Sequence, residues 1–354
     1  MCSVSNNHVK RYLAHAIFVV FAVCAAAVPS RAWIFVDPTG APGIDLTGYT
    51  QVISDIDKTI SRNARNYPAA FALANVGGYP VGDATLGNFP HMFFGVSFTV
   101  GCANMKYFDE HIPREKSVYP AYAPNANLLF GFGLAKGFDL LVKALVFSDT
   151  MWRPPLNQKS ATLKKLNIYS LGAKLRKNLV GEKRILPHFF DFGGFTVSAG
   201  VDHMSGIIGV NGQYKYKIAT VFLTNPAPGF YNLTLDAYYN FNVKWFMTAA
   251  NGQAIAYFNF LWIFDIYLGL GMALTWGYIK LDGSGLATVS LLTPGDQGII
   301  RAQAGYKYRP KFVMGLFIAG LEINLWILKL NIETMANISN NRDISVQIGT
   351  RFQF

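Results

Sequence analysis

Cysteine and charge are both scarce in this chain of 354 residues. The three cysteines are Cys2, Cys24 and Cys102, and the first two fall within the N-terminal 32 residues. A single remaining cysteine excludes an intrachain disulfide and a cysteine-based metal site. Charged residues make up 14% and hydrophobic residues 51% of the chain, whereas roughly 25% of an average soluble domain is charged. This balance argues against disorder and favours a membrane environment or an unusual core.

Motifs for catalysis, metal binding and nucleotide binding are also missing. The sequence has no P-loop, no GxSxG motif, no HExxH pair and no strand–GxGxxG–helix unit. The histidines beyond residue 32 are far apart; they are His91, His111, His188 and His203. A hydrolase would need Ser205 to meet His203 or His188, and isolated loop histidines are far commoner than such an arrangement. We therefore expect a protein that is not an enzyme and that uses no cofactor and no metal.

The N-terminus has the features of an export signal. Lys10 and Arg11 precede a short apolar stretch from Ile17 to Val28, and "PSRAW" offers small residues for cleavage near Ala32. A membrane anchor is the alternative, but a spanning helix needs about 20 apolar residues. Residues 1–32 are therefore predicted to be a cleaved signal peptide.

Residues 33–88 differ from the rest of the chain. Apolar residues recur there at helical spacing and predict one amphipathic helix; they are Tyr49, Val52, Ile53, Ile56 and Ile60. A glycine-rich stretch, "NVGGYPVGDATLGNFP", comes next. Two interpretations stay open for this partly helical segment: a surface helix packed on a domain, or a plug or periplasmic cap for the C-terminal remainder of the chain.

From Phe89 onward, apolar and polar residues alternate. In "DISVQIGTRFQF" the even positions from Ile344 to Phe354 are apolar or threonine, and the odd positions are polar or glycine. This period of two recurs over segments of about ten residues and predicts an antiparallel sheet with one wet face. Aromatic residues near strand ends are expected to form an outward girdle, as in a membrane barrel; they are Tyr231, Trp245, Tyr306 and Tyr308.

We interpret residues 89–354 as an all-β, transmembrane antiparallel β-barrel of about 14 strands, within a range of about 12–16. A secreted sandwich is the alternative. The expected strands in the middle of the chain are Phe190–Asp202, Ile208–Phe222, Phe230–Tyr239, Asn242–Gly252 and Ile255–Trp262. The last strand, Asp343–Phe354, is expected to close the barrel against Phe89–Gly101.

The segment Ile255–Trp276 is apolar at both odd and even positions and is long enough for a membrane-spanning helix. Asp265 would then lie near its centre, where a charge costs roughly 3 kcal/mol on insertion scales. We predict two strands hinged near Phe264–Asp265, with inward side chains that pack on the plug.

The polar face of the predicted sheet carries more basic than acidic residues. Its basic residues are Lys143, Lys174, Arg176, Lys215, Lys217, Lys244, Arg301, Lys307, Lys329 and Arg351, and its acidic residues are Asp139, Asp236 and Glu333. A basic lumen selects anions, so the candidate solute-binding residues are Lys174, Arg176, Lys215, Lys217, Arg301, Lys307, Lys329 and Arg351. Alternatively, these charges pair with the plug or keep the interior wet. Nucleic-acid binding is not expected, because the basic residues do not form one patch.

Three stretches resemble known outer-membrane proteins. "RDISVQIGTRFQF" resembles the C-terminal β-signal of bacterial outer-membrane barrels, with Phe352 and Phe354 as the assembly signal. This resemblance implies insertion into outer-membrane lipid by the barrel-assembly machinery. The overall layout is similar to the long-chain fatty-acid transporter (FadL-like) family, which implies 14 strands and an N-terminal hatch. The family's Asn-Pro-Ala motif is absent from the N-terminal region, since "TNPAPG" lies mid-barrel. "GNFPHMFFGVSFTVG" resembles the first strand of spirochaete outer-membrane proteins.

These features support two functional hypotheses. The first is a transporter or channel in the bacterial outer membrane for small hydrophobic or anionic solutes, long-chain fatty acids among them, gated by the N-terminal segment. The second is a surface-exposed structural or adhesin barrel that acts through its extracellular loops. Solute uptake by liposomes separates them.

Overall fold

The computed structural model describes residues 33–37, 64–79, 82–87, 89–104, 120–149, 161–186, 189–223, 229–261, 263–290 and 297–354. Within these ranges, the side chains of 33–37, 161, 214–237, 239, 287–290 and 297–304 are not described. The expected signal peptide and the predicted helix around Ile56 lie outside the described residues. In the part of the chain that is described, no helix has both the length and the apolar character needed to cross a membrane.

The described chain folds into one large antiparallel sheet and one α-helix. The strands are β1 (Trp33–Asp37), β2 (Met92–Ala103), β3 (Ala121–Gly133), β4 (Phe138–Ser148), β5 (Ala161–Val180), β6 (Lys183–Leu186), β7 (Phe190–Leu223), β8 (Gly229–Phe260), β9 (Phe264–Ser290), β10 (Gln297–Tyr308), β11 (Val313–Leu325), β12 (Leu328–Asn337) and β13 (Ile344–Gln353). Helix α1 spans Tyr67–Val76. A short 3-10 turn, Ala135–Gly137, joins β3 to β4.

Ten strands close into a ring. The order around it is β2–β3–β4–β5–β7–β8–β9–β11–β12–β13, and β13 pairs back to β2. Ile348 faces Phe98 in this closing ladder, and the N–H and C=O of Met92 bond to the C=O and N–H of Phe354. The predicted pairing of the last strand with the first is therefore confirmed, and the fold is an antiparallel barrel without an open edge around the ring.

The ring contains ten strands, whereas the sequence predicted about 14. The predicted breaks near residues 203–207, 240–241 and 253–254 all lie inside continuous ladders of β7 and β8. Serine, glycine and asparagine residues are tolerated there because the neighbouring strands hydrogen-bond the backbone on both sides. β10 is not a member of the ring. It pairs with the C-terminal half of β9, from Ile279 to Ser290. The apolar segment around Asp265 is two strands, β8 and β9, as predicted.

The two ends of the barrel differ. One end, here called the short-turn end, carries the turns at 134–137, 261–263 and 326–327 and the C-terminal Phe354. The other, here called the long-loop end, carries the connections from Ala103 to Ala121 and from Ser148 to Ala161. The tall hairpins β7–β8 and β9–β10 also rise at the long-loop end, and β1 pairs with β10 there.

The barrel wall is apolar outside and polar inside. In β13, Ile348 is 59% exposed, whereas the neighbouring Gln347 and Arg351 are 1% and 2% exposed. Phe94, Phe98, Leu171 and Leu270 are exposed on other strands. A soluble sheet buries its apolar face, so this wall has the opposite polarity, which is the pattern of a barrel that faces lipid.

Helix α1 lies inside the ring and contacts β2, β3, β7, β8, β9 and β13. All its residues except Ala69 are buried, and Pro68 lies in its first turn, where a missing N–H costs nothing. The wall surrounds the helix, so all but one of its buried residues are apolar or aromatic, Asn75 being the exception, and the helix lacks the amphipathic pattern that sequence reasoning looks for. A Cβ on Gly101 would lie 2.0 Å from the carbonyl oxygen of Ala70, so this glycine permits the close approach of helix and wall.

Candidate functional site: the filled lumen

The described residues between Ala64 and Gly87, here called the inner segment, fill the lumen. Near the long-loop end, Tyr67 and Phe71 pack with Trp245 and Ile279. In the middle, Leu73 and Val76 pack among a set of buried residues that includes Tyr257, Tyr267, Met314 and Leu316. Near the short-turn end the contacts become ionic and are built around Lys143, Asp83 and Asp139.

The first ionic site is built around Lys143. Its Nζ lies 3.0 Å from Asp202 Oδ1, and both side chains are fully buried. The same ammonium donates to the carbonyl oxygens of Asn75 and Gly77, so a cation meets the negative end of the dipole of α1. Tyr79 donates its hydroxyl proton to Asp202 over 2.8 Å.

The second ionic site is built around Asp83. Its Oδ2 lies 2.6 Å from Lys329 Nζ and 2.9 Å from Arg351 Nη2. Arg351 also contacts Glu322 over 2.8 Å, and Glu322 accepts from the N–H of Gly82 over 2.9 Å. Two cations of the wall therefore face the single carboxylate of Asp83.

The third ionic site is built around Asp139 and Arg176. Arg176 donates to Asp139 Oδ2 from Nε over 3.0 Å and from Nη2 over 2.7 Å. Asp139 also accepts from the N–H of Leu86 over 3.2 Å, and Arg176 donates to the backbone carbonyl of Asp83. The wall thus binds the inner segment close to the point where the segment leaves the lumen.

These contacts share one property: most of them reach the main chain of the inner segment. Gln347 accepts from the N–H of Gly78, and Asn125 donates to the carbonyl of Ala74 over 3.1 Å. The main-chain contacts of Lys143, Glu322, Asp139 and Arg176 are of the same kind. Side chains of the wall therefore satisfy a run of backbone groups that would otherwise be buried without partners.

The sequence-predicted residues do not all lie in the lumen. Four of them are buried on the inner face: Lys174, Arg176, Lys329 and Arg351. Lys174 Nζ donates to Gln253 over 2.9 Å. Lys307 is exposed, and its Nζ lies 4.4 Å from the ring centroid of Tyr278. Lys215, Lys217 and Arg301 lie in β7 and β10, but their side chains are outside the described part.

Two sequence-based expectations about the inner face were wrong. Asp202, Asp265 and Glu322 are buried there too, so the acids are more numerous than the alternation indicated. Trp245 is buried against Phe71, with ring centroids 5.2 Å apart, and Tyr306 and Tyr308 pack on the same apolar cluster. These aromatic residues point inward because α1 is apolar and requires apolar neighbours at its level. Alternation identifies residues that share a face, but it does not say which face is inside.

Parts of the inner wall are polar without a protein partner. Among the described residues, both amide atoms of Asn127, the hydroxyls of Ser170 and Ser345 and Nε2 of Gln347 are buried and have no hydrogen-bond partner in the protein. A buried polar atom without a partner costs about 1–3 kcal/mol.

The carboxylates of Asp83, Asp265 and Glu322 approach within 4.8 Å of one another. Lys329 and Arg351 already lie between two of these carboxylates. Asp83 and Glu322 therefore belong to an ion-pair network, whereas Asp265 accepts a hydrogen bond from Nδ2 of Asn324.

The fold and its lumen define the class of protein: a closed antiparallel barrel with an apolar exterior and a lumen filled by its own N-terminal segment. A family model described as Lsa36-like matches residues 124–354. The chain therefore belongs to the Lsa36-like family, which is of the spirochaete type that the first strand resembles. No curated protein matches the chain.

Several solved structures are similar to the chain. The toluene transporter TbuX of Ralstonia pickettii is 9% identical, with 82% of this chain and 99% of that chain covered and a TM-score of 0.23. The translocator domain of the autotransporter NalP from Neisseria meningitidis is 8% identical, with 87% and 98% covered and a TM-score of 0.27. The P. putida toluene transporter TodX is 8% identical, with 84% and 94% covered and a TM-score of 0.21. Similarity at this level carries no functional argument, so the barrel rests on its own strand pairing.

Proposed function

We propose that this protein is a transport barrel of the bacterial outer membrane, and that its lumen opens when the inner segment is displaced. The observation that carries the proposal is the ionic bridge from Asp83 of the inner segment to Lys329 and Arg351 of the wall. Ion pairs of this kind can exchange one anion for another, whereas an apolar core offers no such alternative.

The membrane location is supported by the polarity of the wall. Apolar side chains such as Ile348 and Leu270 are exposed on the outside, and bilayer-facing strands require this arrangement. Phe94, Phe352 and Phe354 stack at the short-turn end, with ring centroids 5.3 and 6.1 Å apart for the two pairs that Phe94 forms. Their exposure is consistent with an interfacial position and with recognition of the last strand by the barrel-assembly machinery.

The gating role is supported by the contacts that the inner segment makes. Residues 74–87 are bound to the wall through ion pairs and single hydrogen bonds, and the polar side chains of Asn127 and Ser345 can be hydrated once the segment has left. Displacement then uncovers a lumen that is apolar at the level of Trp245 and Met247. At the level of Arg351 and Lys329 it carries two cations that have lost the Asp83 charge and keep Glu322 as a partner.

The class of solute is inferred from the presence of an apolar level and a charged level in the lumen. A small solute with an apolar body and an acidic group, such as a long-chain fatty acid, would place its body against the apolar level and its acid on Arg351 and Lys329. Asp83 holds these two cations in the closed state, so an anion must compete with it. The next candidates for contact are Arg176, which donates to the backbone carbonyl of Asp83, and Lys174, which is buried on the same inner face.

A disulfide lock tests the gate. A Cβ at Gly77 would lie 2.9 Å from Cγ2 of Thr99, so Gly77→Cys with Thr99→Cys places two sulfurs within bonding reach. In proteoliposomes, the oxidised double variant should block uptake of a medium-chain carboxylate, and reduction should restore it. Each single cysteine variant is the control for substitution alone. Equal uptake by the oxidised and reduced forms would refute the gate, and no uptake by any form would favour the structural or adhesin alternative.

A further inference from the structure

The route of the inner segment through the barrel has a defined direction. Its helix packs with Ala103 and Ala121, the residues that end β2 and begin β3 at the long-loop end. Its last residues pack with Phe93 and Leu129, close to the short-turn end. The chain therefore enters the lumen at the long-loop end, descends, and leaves at the short-turn end immediately before β2.

The N-terminal strand lies where this route begins. β1 pairs with β10, with Trp33 opposite Gln303 and Asp37 opposite Ile299. β10 in turn pairs with the part of β9 that extends beyond its contact with β11. β1 is thus at the long-loop end, whereas the C-terminal Phe354 is at the short-turn end.

The wall holds the descending chain mainly by its backbone. Lys143, Gln347, Glu322 and Asp139 each contact a carbonyl or N–H between Asn75 and Leu86. Contacts of this type engage backbone groups that almost every residue carries, so they depend little on the side chains of the bound chain. A lumen lined in this way is suited to a threaded polypeptide.

We propose that the N-terminus is threaded through its own barrel, so that β1 and the long loops share one face of the membrane and the C-terminus lies at the other. The assignment of these faces to the two sides of a membrane rests on the proposed outer-membrane location. The lumen then binds its own chain through the main-chain groups between Asn75 and Leu86, and β1 is displayed together with the long loops.

Cysteine labelling of the full-length protein in intact cells tests the threading. Cys102, which is buried, is first replaced by serine. Single cysteines are then placed at Asp37→Cys in β1, at Ser339→Cys at the long-loop end, and at Trp326→Cys at the short-turn end. A membrane-impermeant maleimide should label Asp37→Cys and Ser339→Cys together, and Trp326→Cys only from the other side. Labelling of Asp37→Cys together with Trp326→Cys would overturn the proposal.

The reference sites Ser339→Cys and Trp326→Cys distinguish a failure of the threading from a failure of the proposed membrane-spanning barrel. If Ser339→Cys and Trp326→Cys are always labelled from the same side, the membrane-spanning barrel itself is refuted. A cross-link in purified full-length protein then decides the threading separately. Ile34→Cys with Ala302→Cys, paired neighbours in the β1–β10 ladder, should form a disulfide, whereas Ile34→Cys with Gln353→Cys, from the other end, should not. Absence of the first disulfide, or formation of the second, contradicts the proposal.

Discussion

Arg351 of the closing strand lies 2.9 Å from Asp83 of the inner segment, Nη2 to Oδ2, across 268 positions of sequence. The same Nη2 lies 2.8 Å from Glu322 Oε1 in β11. One guanidinium therefore connects the segment inside the barrel to two strands of the wall. Because Arg351 is almost fully buried, its charge depends on these two carboxylates for compensation.

Replacing Asp83 with asparagine should weaken the hold on the inner segment. The change keeps the shape of the side chain and removes the charge that faces Arg351 and Lys329. Hydrogen bonds to charged groups are worth about 1.5–3 kcal/mol, and the 22% exposure of Asp83 favours the lower part of that range. The temperature at which the folded gel band converts to the unfolded one should fall, and solute uptake should rise.

A matched control for this variant is Asp282→Asn. Asp282 pairs with Lys280 over 2.8 Å, but both side chains are more than two-fifths exposed, and exposed pairs contribute about 1 kcal/mol or less. It should therefore change neither the conversion temperature nor uptake. Equal effects of the two variants would mean that Asp83 has no special role.

The contribution of Asp83 should disappear in acid. The two cations that face Asp83 favour its charged form in the folded protein, and an ordinary aspartate titrates at about pH 4. The stabilisation is therefore complete well above that range and is lost as Asp83 takes up a proton below it. The stability difference between the wild type and Asp83→Asn should therefore be constant from neutral pH down to about pH 5 and shrink below about pH 4. A difference that persists unchanged at pH 2 would refute the ionic origin.

Replacing Lys143 with methionine should destabilise the barrel more than any exposed charge change. It leaves Asp202 buried without its cation and removes the donor to the end of α1. Breaking a buried pair by removing one partner costs about 3–5 kcal/mol. Unfolding by urea, followed by tryptophan fluorescence, measures this loss.

The double variant Lys143→Met with Asp202→Asn provides the control for Lys143. Since the two groups interact directly over 3.0 Å, the double variant should lose less stability than the two single variants together. Strict additivity would show that the salt bridge is not the source of the effect.

Replacing Gly101 with alanine should separate α1 from the wall. The new Cβ would overlap the carbonyl oxygen of Ala70, and overpacking of this kind costs about 1–3 kcal/mol. Gly252→Ala is the matched control, because its Cβ would have only one neighbour, the carbonyl oxygen of Ser198 at 3.7 Å. We expect Gly101→Ala to accelerate proteolysis of the inner segment and Gly252→Ala to leave it unchanged. Faster proteolysis in Gly252→Ala than in Gly101→Ala would show that the helix does not pack against Gly101.

Two isoleucines test whether the outer wall faces lipid. Ile348 in β13 and Ile338 in a turn at the long-loop end are both 59% exposed. A lysine on the lipid face near the midplane costs about 2–4 kcal/mol and near the interface about 0–1 kcal/mol. Ile348→Lys should therefore reduce folding yield in liposomes, and Ile338→Lys should not. Equal yields would argue that the apolar wall does not contact lipid.

The sequence by itself determined the class of fold and its closing seam. Alternation over residues 89–354 indicates strands with one polar and one apolar face, because period two places one set of side chains on each face, and such strands are typical of antiparallel sheets. In β13 the assignment of faces was also right, with Ile348 outside and Arg351 inside. Helix α1 was missed, since an almost entirely apolar helix inside a barrel has no polar face to reveal it.

Only the tertiary structure decided how many strands close the ring and what the inner charges do. Glycine and asparagine residues that look like turns in the sequence lie inside the tall ladders of β7 and β8, where partner strands hold the backbone straight. Alternation could place Arg351 and Lys329 on the wet face, but their partner Asp83 comes from a distant segment. Pairing across 268 positions depends on the path of the chain through the lumen, and local periodicity contains no information about that path.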